Sequence, residues 1–384
     1  MCFIFPDDGS FCTSLTQVFL YYIIVSMKKK RNLLVPLCVS LSVVYIIFAA
    51  RPLTTELQFL PQWTIDATSV TAKAPDTDQS EQYQNAIPFK LGQTLGYFTA
   101  DGTILHIVSF PYKAAQSPSY YALYGTNDKK IALFAPDGTK TAEITHTGFP
   151  FFMEDKQYLF LPGGASFAKL GDDGQVQWTH EGYAPITAFS SSEGGCVAGY
   201  ADGTIISFAN DGTIDQQFAP GGSGYPVILG AAISQSGDLI ACVSGQDEQR
   251  FIIAKKSSNH TEIIHHEYLK KQTTRQKLVK FSRDESTVFY DSADGLGVAD
   301  CRTGKSKHLP IKGHILSIQE SAESGTVYVL SRTKTTYTVQ VIEPFATAAG
   351  SFSFEANTAC IAVQGENLFV GRDNTISRMQ VVHQ

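Results

Sequence analysis

From residue 87 to the C-terminus, apolar and polar positions alternate in short runs. Val, Ile, Phe, Tyr and Leu take every second place over roughly four to eight residues, and each run stops at Gly, Asp, Asn or Ser. A period of two predicts strands with a buried and an exposed face. No stretch shows the 3.6-residue spacing of an amphipathic helix. Asp-Gly pairs begin at Asp101, Asp137, Asp173, Asp202, Asp211 and Asp294. Gly tolerates positive φ and Asp bonds its own backbone, so each pair predicts a tight hairpin turn. Calcium loops also use Asp and Gly, but they need further acidic ligands that these sites lack.

The strands recur with a period. One apolar strand reads YYALYG from Tyr120, YLFLPG from Tyr158, CVAGYADG from Cys196 and LIACVSG from Leu239. It returns as TVFYDSADG from Thr287, TVYVLS from Thr326 and NLFVGRDN from Asn367, at intervals of 38, 38, 43, 48, 39 and 41 residues. A unit of about 40–45 residues is one four-stranded propeller blade. The predicted fold is all-β, a seven-bladed β-propeller preceded by one transmembrane helix. Six or eight blades also fit, because residues 89–110 count either way. After NLFVGRDN only TISRMQVV remains, so the last blade lacks its outermost strand. An open edge invites aggregation. A strand from before the first blade should close it, with 87–91 and 95–99 as the candidates.

The N-terminus sets the compartment. Lys28, Lys29, Lys30 and Arg31 precede the apolar run LLVPLCVSLSVVYIIFAA at 33–50, just long enough to cross a bilayer. Basic residues stay cytoplasmic, so the remainder is expected outside, on the periplasmic side. Phe48 fits a cleavage site poorly, which favours an uncleaved signal-anchor over a signal peptide. Met27 opens a well-formed export signal, so residues 1–26 read as an extension. The expected organisation is a cytoplasmic segment over 1–32, the anchor over 33–50, a linker over 51–86 and the propeller over 87–384. Within the linker, 57–63 is the one apolar patch.

Composition narrows the function. A formal charge of -6 and pI near 5.9 argue against nucleic acid as a partner. The seven cysteines show no CxxC or Cys/His spacing. Cys196, Cys242, Cys301 and Cys360 are expected to be free thiols serving as small apolar residues. No G-x-S-x-G elbow occurs, and Gly222-Ser223-Gly224 reads as a turn. His266-Glu267 lacks the second His of a zincin helix, and His260, His265 and His266 have few carboxylate partners at suitable spacing. No catalytic, cofactor or metal residues are assigned. The segment from Lys255 to Lys280 is strongly basic. Lys255, Lys256, Lys270, Lys271, Arg275 and Lys277 form a candidate docking patch for an acidic partner or lipid headgroups.

Short motifs carry a resemblance. KLGDDGQVQWTHEG, from Lys169, resembles a pyrroloquinoline-quinone-type propeller repeat at Asp173, Gly174 and Trp178. VADCRTGKSKHL, from Val298, is similar at Asp300, Thr303 and Gly304, with His308 where Trp is usual. FAPDGTKTAEI and FANDGTIDQQF look like weaker copies, and WD40-like classes fit nearly as well. The resemblance implies Trp and Gly packing between blades. It does not extend to quinone chemistry, since the adjacent cysteine pair is missing. It implies a non-catalytic scaffold for envelope proteins, like the quinoprotein-like assembly lipoproteins, although no lipoprotein cysteine is present. The alternative is a propeller enzyme, a hydrolase or lactonase, with an acidic or metal site in the central channel.

Overall fold

The computed structural model describes residues 39–42, 45, 57–68, 85–153, 155–257, 260–344 and 347–383. The chain divides into Met1–Glu56 and Leu57–Gln384. In the first unit residues 39–42 and 45 are helical. Most of the expected anchor, with the whole of 1–32, lies outside the described residues. Among those described, no helix is long and apolar enough to cross a membrane.

The second unit is all β. Its first strand is β1 (Leu57–Asp66). Blade 1 is β2 (Ile87–Leu91), β3 (Thr94–Phe98) and β4 (Ile104–Ser109). Blade 2 is β5 (Lys113–Gln116), β6 (Tyr121–Tyr124), β7 (Ile131–Phe134) and β8 (Lys140–Ile144). Blade 3 is β9 (Phe149–Met153), β10 (Lys156–Phe160), β11 (Phe167–Leu170) and β12 (Val176–His180). Blade 4 is β13 (Ile186–Ser192), β14 (Gly195–Tyr200), β15 (Ile205–Phe208) and β16 (Ile214–Phe218). Blade 5 is β17 (Ile228–Ile233), β18 (Leu239–Ser244), β19 (Arg250–Lys256) and β20 (Thr261–Tyr268). Blade 6 is β21 (Val279–Phe281), β22 (Thr287–Ser292), β23 (Gly295–Asp300) and β24 (Ser306–Leu309). Blade 7 is β25 (His314–Glu320), β26 (Val327–Thr333), β27 (Thr336–Glu343) and β28 (Thr347–Glu355). Blade 8 is β29 (Ala359–Gln364), β30 (Asn367–Arg372) and β31 (Thr375–His383), completed by β1.

There are therefore eight blades where the repeat predicted seven. All seven recurrent runs are second strands of their blades. The eighth second strand, β3, starts 27 residues before β6 (Thr94 to Tyr121), because blade 1 has three strands and its unit is short. That breaks the period and hides the blade.

Closure occurs as expected in kind but through a different strand. β1 pairs antiparallel with β31 from Leu57↔His383 to Asp66↔Thr375, with a bulge between Pro61 and Trp63. The propeller thus begins at Leu57, inside the stretch read as linker, and 87–91 and 95–99 belong to blade 1. β1 has the intermediate and exposed alternation of an outer strand. Its one-sided apolar content is what made it look like a linker. Its Trp63 nevertheless packs edge-on to Phe98, at 6.3 Å between centroids, and against Phe369 at 5.9 Å.

The inner strands of blades 2 to 8 run in one direction. Between blades 4 and 5, Thr187 near the start of β13 donates to Ile228 O (2.6 Å), and Ser192 at its end donates to Ser234 O (2.6 Å). Hairpins likewise meet hairpins from Ser119 to Asp155 and from Ser321 to Gly365. Blade 1 is reversed. Gly92, at the tip of its first hairpin, faces Thr358 just before β29. Tyr97, paired with Pro88 near the start of β2, donates to Ser117 O beyond the end of β5 (2.9 Å). An odd strand count forces this, since three strands leave the chain on the opposite side from which it arrived. We call the side where the inner strands of blades 2 to 8 begin the upper face.

The core lies between blades. β14 and β17 are buried along their whole length, because sheets cover both of their faces. This explains why second strands read as continuous apolar runs. Within blade 6, Gly297 on β23 leaves room for the ring of its cross-strand partner Tyr290; a Cβ there would come within 2.1 Å of it. The ring is thereby free to stack on Phe251 of blade 5, 3.8 Å away and nearly parallel.

Candidate functional site

The turns that join third to fourth strands have a structural role. Gly138, Gly174, Gly212 and Gly304 all have positive φ. Each stands against an outer residue of the preceding blade: His106, Glu143, Trp178 and His265, respectively. The Trp178 indole also donates to Asn210 O on the next blade (3.1 Å). Asp137, Asp173 and Asp211 hold their turns by accepting the backbone N–H two residues on. Of the motif residues, Gly174 and Trp178 are thus blade-to-blade contacts, and Asp173 holds the turn.

His308, in the position of Trp178, turns the other way. It meets Glu267 on β20 of the preceding blade at 2.7 Å. Glu267 also accepts from Tyr290 (2.7 Å) and from Ser306. Burial raises its pKa, and the three hydrogen bonds outweigh that and lower it. Both its oxygens are committed, so the group acts as a lock between blades 5 and 6 and has no free base to offer.

The six residues of the candidate basic patch separate. Lys255 and Lys256 end β19 at the lower face, where Lys256 pairs with Asp215. Lys270, Lys271, Arg275 and Lys277 follow β20 on the crossover to blade 6, at the upper face. The eight-residue strand β20 lies between the two groups. Lys271 pairs with Asp294 at 2.7 Å.

The upper-face crossover ties blades 4, 5 and 6 together. Gln276 donates to Thr187 O of blade 4 (3.1 Å), and Lys277 N to Leu229 O of blade 5 (2.7 Å). Arg275 binds Asp291 at 2.9 Å and donates to His314 Nδ1 of blade 7. Asp291 is fully buried and Lys277 is 4% exposed. Burial raises the carboxyl pKa of Asp291, against the pull of Lys277 and Arg275. Burial lowers the Lys277 ammonium, against the pull of Asp291. A cavity of ≈ 400 Å³ is lined by residues of blades 1, 2, 3 and 8, among them Phe89, Lys90, Gln116, Phe151 and Cys360.

Aromatic loop tips went unnoticed in the sequence. Tyr112, Tyr183, Tyr225 and Tyr268 are 76%, 105%, 68% and 55% exposed. Each lies in, or at the start of, a crossover that leads into an inner strand, so all four sit on the upper face. Their loops are held. Asp247 accepts from Ser223 and from Tyr225 N (3.0 Å), and Ser166 accepts from Gly182 N (3.3 Å). Gly222-Ser223-Gly224 is thus a pinned turn. The signal lay in single tyrosines inside Gly- and Pro-containing stretches between repeats.

The four described downstream cysteines are free. Cys196 and Cys242 are buried, and burial pushes the Cys242 thiol up to about 12. Cys301 sits in a turn rather than a strand and is half-buried. No group of three or more His, Cys, Asp or Glu side chains able to hold a metal occurs among the described residues.

Known proteins agree with the architecture. An uncharacterized protein of Treponema pallidum (strain Nichols) is 29% identical over 361 residues, covering 93% of this chain and 96% of the relative. The crystal structure of BamB from Moraxella catarrhalis superposes with a TM-score of 0.56 at 12% identity, covering 84% of this chain and 100% of BamB. That likeness is one of fold. A family described as beta-propeller protein matches residues 25–384, and the chain belongs to it.

Proposed function

We propose that this protein is a non-catalytic, membrane-anchored scaffold whose propeller stands on the extracytoplasmic side and docks other envelope proteins on its upper face. The observation that carries this reading is the set of four exposed tyrosines on held loops of one face. Tyr offers a large, rigid contact area with a polar tip at little entropic cost, which is why it is enriched at protein interfaces. Most of the surface of these rings is left uncovered in the free molecule. The fold likeness to BamB and the resemblance of the repeats to the quinoprotein-like type agree with a scaffold. Export rests on the basic cluster before residues 33–50, and a reporter joined after Gln384 should be active only outside the cytoplasm.

The test changes Tyr112, Tyr183, Tyr225 and Tyr268 together to Ser. The variant should keep its melting midpoint and lose the envelope proteins that cross-link to the wild type in intact cells. A variant that keeps every cross-linked partner would refute the docking face.

A further inference from the structure

We infer that the channel mouth between blades 5 and 7 receives an acidic polypeptide segment, whose carboxylates are met by Lys277 and the exposed cations around it. This rests on the scaffold reading and adds the chemistry of the partner. The first ground is the buried cluster. Arg275 and Lys277 face a single carboxylate, Asp291, while His314 accepts from Arg275 through Nδ1 and is therefore neutral in this arrangement. Two cations stand against one carboxylate, with Arg275 a third exposed and Lys277 buried, so the cluster holds a local excess of positive charge that an incoming anion would offset. Lys277 Nζ and Asp291 Oδ2 have no hydrogen-bond partner among the described residues.

The second ground is the surrounding surface. Lys270, Lys312, Arg332 and Lys334 are exposed on the upper-face loops of blades 5 to 7 and form no ion pair among the described residues. The carboxylates of the same loops are Glu248 and Glu355, which are exposed, and Asp247 and Asp294, which are partly buried, with Asp294 already paired to Lys271, so the cations still outnumber them. The molecule as a whole is acidic, with a formal charge of -6, so this local excess runs against the background. Such a field attracts and orients an acidic segment before contact. Tyr225 and Tyr268, at the crossovers into and out of blade 5, can cover the apolar parts of the segment.

The full chain in detergent micelles would be titrated against a fluorescein-labelled octapeptide of alternating Glu and Asp, with a Lys octapeptide as control. Fluorescence anisotropy should show saturable binding of the acidic peptide alone, weakening steeply with salt. Lys277→Met, which keeps most of the stem, should weaken it at least tenfold, and Lys312→Glu, at an exposed position that folding does not need, should do likewise. Lys255→Glu and Lys256→Glu, on the lower face, should leave it unchanged. Absent binding, or binding that ignores Lys277→Met and Lys312→Glu, would overturn the inference. So would binding of phosphatidylglycerol vesicles, sensitive to Lys312→Glu, without peptide binding, since the face would then read lipid headgroups. If the tyrosine variant still loses its partners while the peptide fails, only the acidic partner falls; if it keeps them, the scaffold reading falls first.

Discussion

Glu267 shows how much a single side chain can hold between two blades. It lies on β20 and takes hydrogen bonds from Tyr290, Ser306 and His308, all on blade 6. Its folded pKa lies below the ordinary value of 4.5. A carboxylate depressed on folding stabilises the fold above its unfolded pKa and loses that contribution as pH falls through the folded pKa. Glu267→Gln should therefore cost about 1–3 kcal/mol at pH 7, since hydrogen bonds to a charged acceptor are lost. The difference from wild type should shrink below about pH 4. Urea melts at pH 7 and at pH 3.5 check this; an equal gap at both would show that the charge plays no part. None of this is visible in the chain, where His308 is only a departure from the usual Trp. The partner of a side chain depends on which neighbouring blade it faces, and a repeat does not specify that.

At the scale of elements the closing strand is decisive. β1 supplies the fourth strand of blade 8 and brings Trp63 to Phe98 and Phe369. A chain beginning at Leu57 should melt like one beginning at residue 51. A chain beginning at residue 69 should melt on the order of 10 °C lower or aggregate, as several kcal/mol of packing and the edge of β31 are exposed. Scanning calorimetry of the chains beginning at Leu57 and at residue 69 decides it; matching midpoints would mean that β1 is dispensable. The need for a closing strand could be read from the three strands left after Asn367. Its identity could not, because an outer strand buries one side only and Leu57–Asp66 carries Pro61, Gln62 and Thr64 within it. Blade 1 was obscured for a related reason: without a fourth strand it falls out of the period, and nothing in its residues announces its reversed direction.

Across the whole molecule, the two faces differ in chemistry. The lower face carries hairpins tied to one another, such as Ser192 to Ser234 and Ser321 to Gly365. The upper face carries the four exposed tyrosines and the cationic mouth. The basic segment was legible as a cluster along the chain, yet β19 and β20 carry its halves to opposite ends. The tyrosines are scattered along the chain and converge because every crossover returns to the same side. The most direct measurement is photo-cross-linking in intact cells with p-benzoylphenylalanine at one position per face. Placed at Tyr183 or Tyr225 it should capture discrete envelope partners, and placed at Glu193, in the lower-face hairpin of blade 4, it should not. Equal capture from both faces, or capture from Glu193 alone, would contradict an upper docking face.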